Sequence, residues 1–458
     1  MARPGPISGF PEWLPGQRMV EQRVLATLQS RFELHGFVPV ETRAVEPLAQ
    51  LLAKGETDKE IYVLRRLQAD EEEGDAGLGL HYDLTVPFAR YVVEHAGKLA
   101  FPLRRYQIQK AWRGERPQEG RYREFLQADF DVIGEGTLGV HHDADVVRVL
   151  ADIWPSLPFP PLRLAVNNRK IAQGFYRSIG IGDVPAALRT VDKLAKIGEQ
   201  GVRELLVEAA AATGRQAEQC LELARISAGD ESFADRVRAL GVDDPLLEEG
   251  LAELAMVVGA AREVHPGFAV ADMRIARGFD YYTGTVYEGT MTGHERIGAV
   301  CSGGRYDNLA AGGEGLVFPG VGLSIGVTRI LGRMFGQDLL RATRATPTCV
   351  LVALPAAGDR PRCSRIAGAL RARGIAAEVA PEPVKYGRQI RYAERRGIPF
   401  VWFPGPAADP GREGGTETAP QPRPGEVRDI RSGEQVPADP ALWTPPDEDL
   451  TVGIVGGG

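Results

Sequence analysis

Residues 103–132 read LRRYQIQKAW, RGERPQEGR and YREFLQADFDV, which is the pattern of two strands joined by a polar loop. The centre, residues 115–120, cannot continue a helix, because Pro117 fixes its own backbone angle and Gly120 supplies permissive geometry. The flanks, residues 103–112 and 122–132, alternate well enough to be antiparallel strands. The stretch therefore predicts a β-hairpin that carries many charged side chains.

The second strand of this hairpin holds the side chains that could bind a ligand. Alternation gives two sets that each share a face: Arg121, Arg123 and Phe125 in one, and Gln127, Asp129 and Asp131 in the other. We expect a register break near Leu126 to be needed to bring both sets together. Guanidinium groups suit phosphates and an aromatic ring can stack on a base, so the hairpin predicts a nucleoside triphosphate site.

The glycine patterns of the chain do not supply a phosphate-binding loop. Residues 52–55, LAKG, lack the glycine spacing and the hydroxyl residue of a P-loop. Gly312, Gly313 and Gly315 follow no strand-to-helix fingerprint and are more typical of a plain loop. Phosphate charge is therefore expected to be met by arginines and metal ions.

Two further segments are candidates for the same site. Residues 277–284, RGFDYYTG, combine Arg277, which can fork around a phosphate or carboxylate, with tyrosines that can hydrogen-bond an imidazole or amide. Taken alone, they fit a turn with an exposed ion pair equally well. Residues 321–329, VGLSIGVTR, follow SGGRYD at 302–307, and their small residues let a strand pass close to a ligand before Arg329 opens a helix.

Together these segments resemble motifs 2 and 3 and the histidine-specific signatures of the histidyl-tRNA synthetase family, in class II of the aminoacyl-tRNA synthetases. The resemblance runs along nearly the whole chain and implies an α+β fold with an antiparallel-sheet catalytic core. It implies core parts at 1–167 and 264–340, a helical insertion at 168–263 and an anticodon-binding-like α/β domain at 345–458. A mobile segment is expected at 404–424.

Local patterns agree with this division. We predict a helix at 16–34, a strand at 37–42, and a strand at 80–86 that places Asp83 and Thr85 on one side. Residues 168–263 are rich in alanine, leucine and paired charges, which favours helices. Strands at 349–353, 376–379 and 400–403, with helices at 362–373 and 389–396, predict a parallel sheet, and residues 427–430 an edge strand.

The resemblance assigns roles to individual residues in the binding of histidine. Its α-ammonium is expected to meet Asp83, Thr85 and Gln127. Its imidazole is expected to lie against Asp131, with Tyr282 and also Tyr281 on the other side. An alternative remains open for Asp131, which could instead pair with a neighbouring arginine of the hairpin.

The resemblance also implies the residues that bind ATP and RNA. Arg113 and Arg277 are expected to act catalytically on the α-phosphate, while the histidine carboxylate attacks and pyrophosphate leaves. The rest of the ATP site is expected to comprise Glu115, Arg121, Arg123, Phe125 and Arg329. Glu115 could hold adenine or Mg²⁺. Arg116 and Gln118, in the loop, are expected to meet the acceptor end of tRNA(His), whose terminal hydroxyl then takes the histidyl group.

Two positions depart from the family pattern. Thr328 stands where motif 3 commonly has glutamate, and Arg43 stands where motif 1 normally has a proline, so a homodimer is implied by the resemblance alone. A second interpretation is a non-catalytic regulatory subunit of ATP phosphoribosyltransferase. Such paralogues generally lose ATP-site arginines and the C-terminal domain, whereas this chain keeps Arg113, Arg277 and Arg329 and continues past motif 3.

Composition bounds the cellular context. The 458 residues are 43% hydrophobic and 25% charged, with no apolar run long enough to span a membrane, which predicts a cytoplasmic enzyme. Four scattered cysteines without a CxxC pair predict reduced thiols and no zinc site. The net charge is −7, yet residues 104–123 and 360–396 are locally basic, which fits either a tRNA touched at two places or solvated helix faces.

Overall fold

The computed structural model describes residues 5–52, 60–66, 77–275, 281–311, 316–405 and 425–456. The chain divides into two compact units. The first comprises Met1–Pro11 and Val24–Met334, and the second comprises Glu12–Arg23 and Phe335–Gly458. None of the helices in these described ranges has the length and apolar character needed to cross a membrane.

The first unit is built on β-strands from β1 to β12. They are β1 (Val38–Pro39), β2 (Val45–Pro47), β3 (Val63–Leu64), β4 (Leu78–Leu80), β5 (Leu103–Trp112), β6 (Glu124–Ile133), β7 (Leu162–Asn168), β8 (Ser227–Ala228), β9 (Ala269–Asp272), β10 (Thr285–Met291), β11 (Cys301–Ala311) and β12 (Val317–Ile325). Nine of them form one sheet in the order β1-β5-β6-β12-β11-β10-β7-β9-β8, and the others form a small sheet in the order β2-β4-β3. Only the β1–β5 and β7–β9 pairs of the large sheet are parallel, so the predicted antiparallel core is confirmed.

The helices of this part of the chain are α1 (Pro15–Leu34), α2 (Leu48–Leu52), α3 (Thr85–His95), α4 (His141–Ile153), α5 (Arg169–Ser178), α6 (Val184–Val191), α7 (Leu194–Ala209), α8 (Gly214–Ala224), α9 (Ser232–Arg238), α10 (Pro245–Val264) and α11 (Val327–Gly336). Helices α1 and α11 each continue across the division between the units. The predicted helix at 16–34 is confirmed, whereas only Val38–Pro39 of the predicted strand at 37–42 pairs with another strand. Residues 169–264 are helical apart from β8 and the connecting turns, as their composition predicted.

The hairpin of β5 and β6 forms as predicted, but the expected register break is absent. Pairing runs without interruption from Trp112 opposite Glu124 to Leu103 opposite Ile133. The expectation of a break near Leu126 was wrong, because residues two apart on a strand already share a face. Phe125, Gln127, Asp129 and Asp131 consequently all face one side of the sheet.

The prediction of a strand at 80–86 was also wrong, because only residue 80 of that range lies in a strand. β4 ends at Leu80 and α3 begins at Thr85. The Asp83 carboxylate accepts a hydrogen bond from the backbone N–H of Val86 at 3.1 Å, which satisfies one of the free donors of the first helical turn. Pro87 is tolerated in that turn, where a backbone N–H has no partner within the helix.

The second unit contains a smaller α/β sheet. Its strands are β13 (Leu340–Ala342), β14 (Val350–Val352), β15 (Ala377–Val379), β16 (Phe400–Phe403), β17 (Gly425–Asp429), β18 (Gln435–Ala438) and β19 (Ile454–Gly456), and its helices are α12 (Arg360–Ala372), α13 (Tyr386–Arg396) and α14 (Asp447–Leu450). The main sheet has the order β15-β14-β16-β17-β18, and β13 pairs with β19.

This sheet is mixed, and the predicted parallel arrangement of residues 349–353, 376–379 and 400–403 is confirmed. β14 is parallel to β15 and β16, whereas β17 is antiparallel to both β16 and β18. β17 therefore lies inside the sheet, and β18 forms the edge that had been predicted for residues 427–430. The segment expected to be mobile, 404–424, falls outside the described residues except for 404 and 405.

Candidate active site

A pocket opens on the first unit, over the face of β6, β11 and β12, where the odd-numbered side chains of β6 meet the small residues of β12. Phe125, Gln127, Asp129 and Asp131 line it from β6, and Gly322 and Ser324 line it from β12. Asp83 and Thr85 come from the start of α3, Tyr282 from the segment before β10, and Arg329 from the start of α11. The sheet thus gathers residues that lie far apart in the sequence.

One end of the pocket is rich in buried carboxylates and phenols. Asp83, Thr85, Gln127, Asp131 and Tyr282, all predicted to bind histidine, line this region. Tyr281 is not a lining residue. Its hydroxyl contacts Asp83 at 3.5 Å, and its ring lies 4.8 Å from that of Tyr282.

Burial dominates the electrostatics of Asp83. The side chain is buried, and this raises its pKa to about 6, while the Val86 N–H and the positive charge of Arg113 oppose the shift. Burial likewise raises the pKa of the Tyr281 and Tyr282 phenols above the ordinary range, so both stay neutral donors. This end of the pocket can accept hydrogen bonds from a cationic group.

Asp131 has strong partners within the sheet. Arg105, its cross-strand neighbour on β5, approaches it at 2.6 Å, and the Tyr306 hydroxyl donates to it at 2.9 Å. Arg105 is fully buried and also donates to Gln107 at 3.1 Å. Asp131 therefore does pair with a hairpin arginine, as the alternative interpretation proposed. It also lines the pocket.

Sequence reasoning missed Arg105 as a member of this site. The hairpin register would have found it, since pairing Trp112 with Glu124 places Arg105 opposite Asp131. Tyr306 was quoted within the 302–307 segment but given no role. Its position on β11, a neighbour of β12 and not of β6, is a tertiary feature that no local pattern reveals.

The other end of the pocket collects guanidinium groups. Arg113, Arg121 and Arg329 all line it. Burial and the positive charges of Arg121 and Arg113 together lower the pKa of Arg329, which shows that the three groups repel one another. Glu115 offsets part of this charge through Arg121 at 2.8 Å and Arg113 at 4.0 Å.

An aromatic ring, that of Phe125, also lines this end, and a second carboxylate, Glu60, lies near it without lining the pocket. Burial raises the pKa of Glu60, with the nearby Glu115 adding to the shift and Arg113 and Arg121 opposing it. The Arg113 guanidinium lies 5.0 Å from the centre of the Phe125 ring. A flat aromatic group and a polyanion could therefore be bound side by side here.

Three of the predicted residues lie elsewhere on the hairpin. Arg123 is not a lining residue, because its Nε donates to the Glu115 carbonyl at 3.2 Å and its side chain packs against Gly9. Arg116 and Gln118 are exposed in the loop, where the backbone of Gln118 pairs with that of Arg121. None of these three residues lines the pocket.

Arg277 lies outside the described residues, so its catalytic role stays a prediction. Thr328, which replaces the glutamate of the family pattern, is buried and accepts a hydrogen bond from the Leu126 N–H at 2.8 Å. It ties the start of α11 to β6 and is not a pocket-lining residue. The departure at Thr328 therefore removes a carboxylate without leaving a polar group unpaired.

Glycines allow β11 and β12 to pass close together beneath the pocket. A Cβ at Gly303 would lie 2.0 Å from the Gly322 carbonyl oxygen and 2.7 Å from the Leu323 Cα. Because these are backbone atoms of a central strand, they cannot move aside cheaply. The close approach of these paired strands therefore requires glycine at this position.

We predict that Gly303→Ala lowers the free energy of unfolding by about 3 kcal/mol, at the upper end of overpacking costs. Chemical denaturation followed by circular dichroism measures the change. Gly326→Ala is the matched control, since its Cβ would find nothing nearer than 3.4 Å, and it should cost less than about 1 kcal/mol. Equal stabilities for the two variants would contradict the close approach of β11 and β12 at Gly303.

The fold and the site together define a class of enzyme. A mainly antiparallel sheet, an arginine-rich hairpin loop over its central strands and a smaller attached α/β unit are the features of a class II aminoacyl-tRNA synthetase. Family models resolve the class further. The model described as "Histidyl-tRNA synthetase" matches residues 9–330, and the one described as "Anticodon binding domain" matches residues 349–407. The chain belongs to the histidyl-tRNA synthetase family.

Relatives and solved structures agree with this assignment. The chain is similar to the histidine–tRNA ligase of Micrococcus luteus, with 57% identity covering 98% of each chain, and to that of Cutibacterium acnes, with 53% identity over the full length of both. The crystal structure of histidyl-tRNA synthetase from Nostoc sp. PCC 7120 superposes with a TM-score of 0.82 at 31% identity, covering 95% of this chain and 97% of that one. A Bacillus halodurans protein described as an ATP phosphoribosyltransferase regulatory subunit/histidyl-tRNA synthetase shares the fold at 20% identity, with a TM-score of 0.67 and coverage of 82% of this chain and 92% of that one.

Proposed function

We propose that the pocket of the first unit is where this histidine–tRNA ligase joins histidine to ATP and then transfers the histidyl group to tRNA(His). The ligase activity follows from the family and from full-length relatives that carry that name. The observation that carries the assignment of the pocket is its division into a carboxylate end and a guanidinium end. An amino acid and a nucleoside triphosphate can thus lie head to head.

At the carboxylate end we assign histidine. Asp83, Thr85 and Gln127 accept hydrogen bonds from its α-ammonium, and Tyr282 and Asp131 lie beside its imidazole. A site lined by buried polar groups rejects analogues that lack the ring nitrogens, because those groups would be left without partners. The arrangement supports selection of histidine over amino acids with apolar side chains of similar size.

At the guanidinium end we assign ATP. Arg113 lies between the two ends. Its positive charge lowers the pKa of Asp83 at one end, and its guanidinium lies 4.0 Å from the Glu115 carboxylate at the other. It is therefore placed to bind the α-phosphate while the histidine carboxylate attacks, and Arg121 and Arg329 balance the charge of the other phosphates. Phe125 offers its ring to the adenine. Pyrophosphate leaves, and no protein nucleophile takes part.

Mg²⁺ is proposed as an ion carried by ATP. Magnesium is usually held by one or two carboxylates together with substrate phosphates, and Glu115 supplies such a carboxylate among the arginines. No group of three or more histidine, cysteine, aspartate or glutamate residues within the described ranges has the geometry of a protein-only metal site. When bound, the ion would supply positive charge to the phosphates. Chelation by EDTA should abolish exchange, and added Mg²⁺ should restore it.

Histidine-dependent exchange of pyrophosphate into ATP tests the first half of the reaction. We expect exchange with histidine and none with the other amino acids. The second interpretation, a regulatory subunit without catalysis, requires no exchange at all. The match of residues 349–407 to an anticodon-binding model and the full-length ligase relatives favour the enzyme.

Contact with tRNA is proposed at two places. Arg116 and Gln118 are exposed at the tip of the hairpin loop, where the acceptor end could reach the pocket. In the second unit, α13 carries the exposed residues Arg388, Arg391 and Arg395 along one face. Guanidinium groups in such a row suit the phosphates of an RNA stem or loop.

We predict that Arg388→Glu lowers kcat/KM for tRNA charging about tenfold, through loss of a phosphate contact and added repulsion. Pyrophosphate exchange should stay within about twofold of the unchanged protein. Arg341→Glu, an exposed reversal elsewhere in the same unit, is the matched control. If both reversals weaken charging equally, α13 is not a specific tRNA contact.

A homodimer is proposed from family membership. Arg43, which stands in place of the motif 1 proline, pairs with Glu46 at 3.1 Å, and Arg90 pairs with the same carboxylate at 2.8 Å. This network satisfies the charge of Arg43 within one chain. Sedimentation equilibrium over a range of concentrations should give twice the chain mass, and a monomer throughout would refute the proposal.

A further inference from the structure

Three carboxylates are buried together at the amino-acid end of the pocket. Asp83, Asp129 and Asp131 are 3%, 2% and 3% exposed. In the described part of the chain, Arg105 lowers the pKa of all three, and Arg113 acts on Asp83 as well. Since an uncompensated buried charge is costly, the described residues leave the amino-acid end of the pocket short of positive charge until a cation enters it.

The three carboxylates differ in how well they are satisfied. Asp131 has Arg105 at 2.6 Å and the Tyr306 hydroxyl at 2.9 Å, and Asp83 has the Val86 N–H at 3.1 Å. Asp129 accepts a hydrogen bond from Ser324. Its Oδ1 atom is enclosed and has no hydrogen-bond partner among the described residues.

The side chains directly opposite Asp129 on the two neighbouring strands offer it no donor beyond the Ser324 hydroxyl. Gln107, opposite Asp129 on β5, directs its amide nitrogen to Thr42 at 2.9 Å and to Gln109 at 2.6 Å. Ser324, opposite Asp129 on β12, already accepts from Gln127 at 2.6 Å and has only its own proton to give. The missing donor is therefore expected from the pocket side.

We propose that Asp129 is a further specificity residue of the amino-acid subsite, which binds a positively charged N–H group of the substrate and gives up its own proton when that group arrives. The inference rests on the proposed assignment of histidine to this end of the pocket. Asp129 lies between Gln127 and Asp131 on the same face of β6, so a ligand that reaches both must pass it.

The proton balance of this step is simple. Burial raises the pKa of Asp129 to about 7, the negative charges of Asp131 and Asp83 add to the shift, and Arg105 and Ser324 oppose it. Tyr282, which also faces Asp129, stays neutral because burial raises its pKa further. Near neutral pH the carboxyl of the ligand-free site is thus partly protonated. A cation beside it favours ionisation, and the proton passes to the solvent without any bond of the substrate breaking.

The KM for histidine is expected to depend on pH. Below pH 7 the protonated carboxyl must lose its proton before the cation can pair with it, so the KM for histidine rises as the pH falls. Above about pH 8 the carboxylate is already ionised, so Asp129 causes no further change in the KM for histidine. The KM for ATP, which binds at the guanidinium end, should not follow this profile.

Calorimetric titration of histidine at pH 7 in two buffers with different ionisation enthalpies measures the protons released on binding. Asp129→Asn keeps the size of the side chain and removes its ionisation. We expect the unchanged protein to release about half a proton more than the variant. Proton uptake or release common to both proteins comes from the other titrating groups, which are the imidazole of the ligand and the Asp83 and Asp131 carboxyls. In exchange kinetics the variant should raise the KM for histidine about tenfold or more and leave the KM for ATP within about twofold.

Ser324→Ala provides a second variant that keeps the carboxyl. Loss of the hydroxyl donor removes a group that lowers the pKa of Asp129, so the rise in the KM for histidine should begin at a higher pH. This outcome is decisive even if Asp129→Asn does not fold. An unmoved profile would overturn the proposal.

Two other results would also overturn it: a folded Asp129→Asn protein with unchanged KM for histidine and unchanged proton release, or an equal loss for histidine and ATP. The proposed function fails separately, since it requires histidine-dependent exchange by the unchanged protein. If the unchanged protein catalyses exchange and Asp129→Asn changes neither the KM for histidine nor the proton release, only this inference is wrong.

Discussion

Arg113→Ala should lower kcat/KM for histidine-dependent pyrophosphate exchange by about 100-fold or more, equivalent to about 3 kcal/mol of transition-state stabilisation. Arg113 is the guanidinium that acts on both ends of the pocket, through Asp83 at one and Glu115 at the other. Its Nε also donates a hydrogen bond to the Tyr82 carbonyl at 3.0 Å, so its position is set before substrates bind. The loss should appear mainly in kcat, because charge on the α-phosphate grows in the transition state.

Arg116→Ala is the matched control for this experiment. Arg116 lies three residues away in the same hairpin loop, is exposed and does not line the pocket. Its replacement should spare exchange and weaken only the transfer to tRNA. Exchange by a folded Arg113→Ala protein at close to the normal rate would remove Arg113 from the catalytic site.

Arg105→Met should lower the free energy of unfolding by about 3–5 kcal/mol at pH 8, the range found when one partner of a buried ion pair is lost. Arg105 is fully buried, pairs with Asp131 at 2.6 Å and lies with its guanidinium 4.1 Å from the centre of the Phe88 ring. Methionine keeps most of the length and the apolar packing. The variant therefore isolates the loss of positive charge beside three carboxylates.

The destabilisation should depend on pH in a definite direction. Burial raises the folded-state pKa of Asp129 to about 7 and of Asp83 to about 6, and raises that of Asp131. The folded protein thus binds more protons than the unfolded chain between about pH 4 and 7, and each carboxyl loses stability as the pH rises through that range. Without Arg105 these pKa values rise further, so the variant should recover part of its stability at pH 5.5.

Urea denaturation at pH 5.5 and pH 8 measures both effects. Arg104→Met is the matched control, because Arg104 is the adjacent residue, keeps part of its surface exposed and lies 3.7 Å from Asp145. It should change the stability by no more than about 1 kcal/mol at either pH. A pH-independent loss for Arg105→Met would mean that packing, not charge, makes Arg105 important.

Much of the site could be predicted from local sequence because its residues lie on one strand. Phe125, Gln127, Asp129 and Asp131 are two apart, and a pairing strand must place them on one face. The resemblance carried by RGFDYYTG and VGLSIGVTR named the family correctly. Tyr282 and Arg329, predicted from those segments, do line the pocket.

Predictions failed where another interaction competed with the alternating strand pattern. Residues 80–86 alternate like a strand, but the Asp83 carboxylate captures the Val86 N–H and a helix begins instead. Residues 427–430 resemble an edge strand, but β18 pairs outside them. Arg123 resembles its pocket-lining neighbour Arg121, yet the Glu115 carbonyl and Gly9 hold it elsewhere. For residues 427–430 and Arg123 the deciding partner lies outside the local alternating pattern, whereas for residues 80–86 it is a contact between two residues of the segment itself.

By itself the sequence determined the family, the antiparallel hairpin with its arginine-rich loop, and most of the residues proposed to bind histidine and ATP. The hairpin follows from residue type and a period of two, and the family from the resemblance of its motifs. Only the tertiary structure decided which charges are compensated. It placed Arg105 against Asp131, gave Tyr306 to the same carboxylate and left Asp129 with an oxygen that has no partner in the described chain. Charge balance is a property of buried neighbours on different strands, and their separation and burial are set by packing, not by the order of the residues.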